Sequence, residues 1–424
     1  MTICLVAMAW VLRGGSAPFS GTVRTYEFYG EALVPLLGDK AWAQSLELEL
    51  GARYTNTNHS DGYWTYKAGF RWEILDGMSF RAMHQKSIRA PNSLELFEEQ
   101  SKNEGAWVYP NRPDPCSASS DPVGSGVVEK CLIQGLPEEQ IGVFEATAFY
   151  PVTLYSGGNP DLEPEEAETW TVGFVIIPAA LSGFTFTADY FQMEVSETIG
   201  GISSNSICFD ANNIENVFCE NLVRDQTGNV AVMWDLTSNR GLLETRGVDT
   251  QIQYQTYLPD GFGFSGSGAS LTMNLFWTHL LSWKSQENPV TEIYQCAGLY
   301  GPPCMNTSNP EDRVTTVFSY LSGPLEAQLT WRWIDGMDNA APLASYIWGY
   351  PDPDLAIPDV PDRHYFDLGF AWTFMERYQL RFGVSNLFDT NPVMMADQAM
   401  PNNTDEGLYD VFGRSYYLRL SARF

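Results

Sequence analysis

Two stretches of the chain combine residue types that could hold a small molecule. Segment 88–166 carries Trp107, Tyr109, Phe144 and Tyr150 among fourteen acidic residues and four basic ones, Arg89, Lys102, Arg112 and Lys130. Segment 337–363 brings Tyr346, Trp348 and Tyr350 between Asp338 and Asp352. An aromatic face offers apolar area and a negative quadrupole to a sugar ring or a cation, and a flanking carboxylate accepts hydrogen bonds. Such surroundings suit a neutral or cationic solute better than a polyanionic chelate, which the carboxylates would repel. Trp107, Tyr109, Tyr346, Trp348 and Tyr350 are therefore the candidate ligand contacts. The same acidity would also serve simply to keep an exposed surface soluble, or to bind divalent cations.

Catalytic chemistry is not indicated. GxSxG, HExxH and Walker-type signals are absent, and the GFSGSG cluster at 263–268 lacks the strand–loop–helix context of a phosphate-binding loop. Neither enzyme activity nor a cofactor is expected. The four histidines (His59, His84, His279, His364) are scattered and there is no CxxC, so no metal site is expected. Six of the seven cysteines fall instead into close pairs within polar, turn-rich stretches: Cys116 with Cys131, Cys208 with Cys219, Cys296 with Cys304. Short loops closed in this way read as disulfide staples made in an oxidising compartment.

The elements that must position these loops read as strands. In WTYKAGFRWE, Trp64, Tyr66, Ala68, Phe70 and Trp72 alternate with Thr65, Lys67, Gly69, Arg71 and Glu73. The same period-2 pattern recurs in SLELELGARY, GVDTQIQYQT, LEAQLTWRW, FDLGFAWTF and the terminal YYLRLSARF. About thirteen strands are predicted, near 23–37, 43–55, 62–73, 77–87, 167–178, 181–195, 245–258, 267–281, 313–322, 324–336, 364–374, 377–386 and 414–424. Short turns alternate with longer connections at 56–61, 88–166, 196–244, 282–312, 337–363 and 387–413. That asymmetry predicts an all-β, antiparallel transmembrane β-barrel with short periplasmic turns and long extracellular loops. Lys67, Arg71, Asp249, Gln251 and Arg332 then face the lumen, and the alternating Trp and Tyr residues form lipid-side belts.

Composition is compatible with this. The chain has 424 residues, a formal charge of −28 and a mean hydropathy of −0.20, with no apolar run long enough for a membrane helix. A barrel passes that test too, because only every second residue meets lipid. The acidic balance argues against a nucleic-acid partner.

Four stretches carry more than pattern: HQKSIRAPNSLELFEE (84–99), GGNPDLEPEEAETWTVGF (157–174), RFGVSNLFDTNP (381–392) and FGRSYYLRLSARF (412–424). In this order and spacing they resemble the C-terminal barrel of a TonB-dependent outer-membrane receptor, from about Ser20 to Phe424. Within these motifs Arg89, Pro91, Asn92, Asn159, Pro160, Pro164, Asn386 and Phe388 read first as structural residues. Phe424 resembles the terminal aromatic read by the barrel-assembly machinery.

The resemblance implies uptake of a scarce solute through a barrel of about 22 strands with a plugged lumen. It also implies a Gram-negative outer-membrane location, lipid contact, and a periplasmic energy-coupling partner that grips an N-terminal segment. No plug or coupling box is found here, and about eight or nine strands fall short of that number. The expectation is therefore a barrel portion at 21–424, about 13–14 strands of the family's barrel, preceded by an atypical segment 1–20 and not competent alone. A plugless passive pore or surface-binding barrel, and a secreted β-sandwich binding module, are the alternatives.

Overall fold

The computed structural model describes residues 20–422 apart from 107–113, 147–150, 202–203, 211, 260, 287, 289, 291, 306, 344–356, 376 and 396–400. The five aromatic ligand candidates Trp107, Tyr109, Tyr346, Trp348 and Tyr350, and the terminal Phe424, lie outside the described residues. So do residues 1–19.

Thirteen long strands are present among the described residues, one for each predicted from alternation. They are β1 (Thr25–Lys40), β2 (Ala43–Thr57), β3 (Tyr63–Leu75), β4 (Met78–Arg89), β5 (Glu165–Ile176), β6 (Phe184–Gly201) and β7 (Val230–Leu258). After these come β8 (Ala269–Gln286), β9 (Asp312–Ser322), β10 (Leu325–Ile334), β11 (Arg363–Phe374), β12 (Tyr378–Ser385) and β13 (Ser415–Ala422). Each pairs antiparallel with its sequence neighbour, so all thirteen belong to one sheet. This overturns the sandwich alternative, which needs two facing sheets. β1 pairs only with β2 and β13 only with β12; among the described residues these edges do not meet, and the sheet is open.

Register sorts the side chains, because residues directly opposite one another share a face. One row runs Leu46, Trp72, Phe80, Phe174, Ala188, Thr250, Trp277, Val314 and Trp333 across β2 to β10. The neighbouring row, one residue along, runs Glu47, Arg71, Arg81, Gly173, Asp189, Asp249, Thr278 and Arg313. The sheet therefore has an apolar, aromatic face and a charged face. Lys67 lies opposite Gly51 and Gln85, Gln251 opposite Thr187 and Phe276, and Arg332 opposite Thr315 and Tyr365. All five lumen candidates thus fall on the charged face.

The connections at one end are short. Gly77 and Gly183 adopt φ of +76° and +80° there, a left-handed backbone in which a Cβ would also meet the carbonyl oxygens of Ile177 and Gln255. At the other end lie the five-residue connection 58–62 and five long loops, 90–164, 202–229, 287–311, 335–362 and 386–414. The longest strand departs from expectation. β7 begins at Val230, 15 residues before the predicted start at 245, because register shifts at Asn239, Gly241 and Leu242 displace the alternation and break the pattern. The extension serves as a post for the loops. Segment Val152–Gly157 pairs parallel to it and Leu222–Arg224 antiparallel.

Burial follows from this layout. The wall has few fully buried side chains, and the four buried hydrophobic clusters are built largely from loop residues. No helix among the described residues is long and apolar enough to cross a membrane, which says nothing of strands.

Candidate functional site

The charged face is the first half of the site. Lys67 Nζ lies 2.7 Å from Glu49 Oε1 and 3.3 Å from Glu31 Oε1. Arg53 stands 3.7 Å from Glu27 and over the Tyr29 ring at 5.3 Å. Glu27, Tyr29, Glu31, Arg53 and Lys67 line a cavity of about 360 Å³ on β1 to β4. Further along, Arg81 donates Nε and Nη2 to the two oxygens of Asp189, at 2.9 and 2.8 Å. Asp249 accepts from Thr278 Oγ1 at 2.7 Å. Arg332 is held by a loop: Nη1 and Nη2 donate to Asp410 at 3.1 and 2.6 Å, Nε sits 3.5 Å from Asp367, and the guanidinium covers Tyr365. The wall is thus laced by acid–base pairs across one or two strands, and Asp410 reaches Arg332 from a loop.

The long loops form the second half, and they fold into two knots. In the first, disulfides Cys116–Cys131 and Cys208–Cys219 close two separate loops, as their spacing predicted. The loops are joined by a buried ion pair. Arg224 donates Nη1 to Asp114 Oδ2 at 2.7 Å and Nη2 to Oδ1 at 2.9 Å, and its side chain is wholly buried. Nε donates to Gln134 Oε1 at 2.8 Å, Nη1 also to Gly228 O at 2.7 Å, and the guanidinium lies 5.6 Å from the centre of the Phe144 ring. Lys130 donates Nζ to the carbonyls of Cys208 and Asp210 at 2.8 and 3.0 Å, and burial pulls its ammonium below the usual lysine range. Asp235 on the β7 extension is pushed up by burial, although Ser204 N–H donates to it at 2.9 Å.

The second knot gathers Tyr300, Ile334, Met337, Val360, Tyr365, Val393, Met395 and Tyr409 from three loops and two strand ends. Disulfide Cys296–Cys304 closes its edge, again the pair expected. A four-stranded patch of short segments, Leu299–Tyr300, Ser308–Asn309, Met337–Asn339 and Asp359–Val360, stitches two of the loops. Tyr300 donates its hydroxyl to Ile357 O at 2.9 Å. Burial raises the Tyr300 and Tyr409 hydroxyls above the usual phenol range.

The motif residues hold the roots of these loops. Arg89 forks onto Glu165 at 2.6 Å through Nε and Nη2, and Nη1 reaches Glu95 at 3.0 Å. Pro91 precedes Asn92, which caps the short helix Ser93–Phe97; Asn92 Oδ1 accepts from Leu94 and Glu95 N–H, and Glu95 returns a bond to Asn92 N–H. Asn159 donates to Thr237 O at 3.0 Å, and Pro160 and Pro164 stiffen the return into β5. Asn386 is buried and brackets Thr390, accepting from its N–H and donating to its carbonyl. Phe388 is exposed and meets Phe366 edge-on at 5.2 Å.

Several partners were invisible in the sequence. Asp114 and Arg224 lie 110 residues apart, and Arg81 and Asp189 lie 108 apart. Alternation puts Arg81 and Asp189 on polar positions, but only register brings them together. For Asp114 and Arg224 the one signal was an arginine in a polar stretch beside a predicted disulfide.

A single antiparallel sheet with one apolar face, one charged face and all its long loops at one end defines the wall of a receptor-type β-barrel. Residues 9–387 match the family described as TonB dependent receptor-like, beta-barrel, and the chain belongs to that family. Among solved structures it resembles a ferric enterobactin receptor (PfeA) mutant from Pseudomonas aeruginosa, at TM-score 0.59 and 14% identity over 95% of this chain and 45% of that one. It also resembles the siderophore receptor PirA from Acinetobacter baumannii, at TM-score 0.58 and 15% identity over 95% of this chain and 46% of that one. The chain thus spans about half the length of these receptors. At such identity the likeness is one of fold. No curated protein sequence matches.

Proposed function

We propose that the chain forms the barrel wall of a TonB-dependent receptor in a Gram-negative outer membrane, serving active uptake of a small, scarce solute. The observation that carries this reading is the segregation of the two sheet faces together with the one-ended long loops, in a chain of this family. In this reading the aromatic face meets lipid, the charged face lines the solute's route, and the two knots face outward. Trp107, Tyr109, Tyr346, Trp348 and Tyr350 are the proposed first contacts of the solute. Phe424 is proposed to mark the chain for the barrel-assembly machinery.

The solved relatives are named for ferric enterobactin and siderophores. Energising by a periplasmic coupling partner and passage of a solute are carried from the family to this chain as part of the proposal.

Fractionation of Gram-negative cells expressing the chain, with protease added outside, tests placement. Recovery in the outer membrane with cleavage confined to the long loops is expected, and a soluble product would refute it. Solute uptake that falls when the proton gradient is collapsed is the matching functional result; uptake indifferent to the gradient would favour a passive pore.

A further inference from the structure

The short-turn end of the charged face differs from the rest. Arg377, Arg381 and Arg419 line one cavity of about 430 Å³ in which no carboxylate is found among the described residues. Arg381 and Arg419 stand directly opposite one another on β12 and β13. Like charges so placed repel, and cross-strand pairs of this kind are destabilising. Among the described residues none of the three makes an ion pair, in contrast to Arg81, Arg89, Arg224 and Arg332. Arg381 spends only Nε, on Gln379 at 2.9 Å, and its two terminal nitrogens remain available. In a chain of charge −28 three guanidiniums are gathered here at one cavity.

Beside it lies a second cavity of about 350 Å³, which shares Arg381. Its floor is Tyr417. A Cβ on Gly383 would fall within the Tyr417 ring, and one on Gly369 would touch its hydroxyl. The ring therefore lies on the backbone of β12 and reaches β11, seated where two strands lack side chains. The residue remains 52% exposed, so an aromatic platform is offered to the cavity. Gln255, Thr272, Ser319 and Gln328 supply neutral donors and acceptors around it, and Glu326 is the one carboxylate in the lining.

An aromatic platform ringed by amides and hydroxyls takes a polyhydroxylated ring, and adjoining unpaired guanidiniums take a phosphate or carboxylate in forked geometry. We infer that these two cavities form one site for a sugar-sized solute carrying a single anionic group, with Tyr417 under the ring and Arg381 and Arg419 on the anion. A single anionic group also meets less opposition from the acidic loops than a polyanion would. This deepens the uptake reading and rests on it for physiological meaning, though the site itself is defined by binding alone.

The test is calorimetric titration of the full chain, folded in detergent micelles, with glucose 6-phosphate, glucose and inorganic phosphate. Glucose 6-phosphate is expected to bind at least tenfold more tightly than either of the others. Arg381→Gln should weaken it at least tenfold, and Tyr417→Ala should remove its advantage over phosphate while phosphate binding persists. If Arg381→Gln fails to show the heat-dependent gel mobility of a folded barrel, Arg419→Gln takes its place with the same expected loss. Equal affinity for glucose 6-phosphate and phosphate in the wild type, or affinity unchanged in the arginine variant, would overturn the inference. Binding with no uptake in cells would instead leave the site standing and remove the transport reading.

Discussion

The ion pair between Arg224 and Asp114 is the bond whose removal should do most damage to the loops. Both side chains are buried, at 0% and 2% exposure, so water cannot replace a lost partner. In Arg224→Ala the Asp114 carboxylate loses two charge-assisted bonds and keeps the Cys116 N–H at 2.9 Å. Gln134 Oε1 and Gly228 O lose donors as well. Stranding one member of a buried pair costs about 3–5 kcal/mol, which raises the opening equilibrium of the first knot roughly 10²- to 5 × 10³-fold.

The disulfides hold each loop closed but do not join the two loops to each other. The loss should therefore appear as separation of segment 114–146 from 204–224 rather than as melting of the wall. Amide hydrogen exchange on the full chain reads this directly: protection should fall by that factor at Leu136, Phe144 and Leu222, while β2 to β4 stay unchanged. The double variant Arg224→Met, Asp114→Leu, which removes both charges and keeps apolar volume, should regain most of the protection. Unchanged protection in Arg224→Ala, or a double variant no better than the single, would refute the reasoning.

Three further outcomes follow from the same loops. Replacing Cys116 and Cys131 by serine releases a loop with a sequence separation of 15, which should lower the first knot's stability by about 3 kcal/mol, read as faster proteolysis within 116–146. Asp235, raised above its ordinary value by burial, contributes stability that is complete below an unfolded pKa of about 3.9 and is lost as pH rises through its folded value. The urea midpoint of Asp235→Asn should therefore lack that decline, so the gap between variant and wild type widens from acid towards neutral pH; a constant gap would contradict this. Asn386→Ala removes both bonds to Thr390 from a buried position and should cost about 1–3 kcal/mol, measured as a drop in the temperature at which the β12–β13 hairpin loses exchange protection.

Much of the fold was legible because a strand with two unlike faces writes its period directly into the chain. Lys67 and Arg71 alternate with Tyr66, Phe70 and Trp72, and the structure keeps those two sets on opposite faces. The disulfides were legible because Cys116–Cys131, Cys208–Cys219 and Cys296–Cys304 are near neighbours, separated by 15, 11 and 8 residues. The early start of β7 was not, because its register shifts move the alternation out of phase where the loops dock.

What the sequence determined by itself was therefore local: which segments are strands, which side of each is apolar, and which cysteines can meet. What only the tertiary structure decided was which charges pair. Arg224 finds Asp114, Arg81 finds Asp189 and Arg332 finds Asp410, while Arg381 and Arg419 face each other and neither has an ion-pair partner among the described residues. Period 2 is set by each residue's own backbone geometry, whereas the partner of a charge depends on strand register and loop return across as many as 110 residues, which no local pattern records.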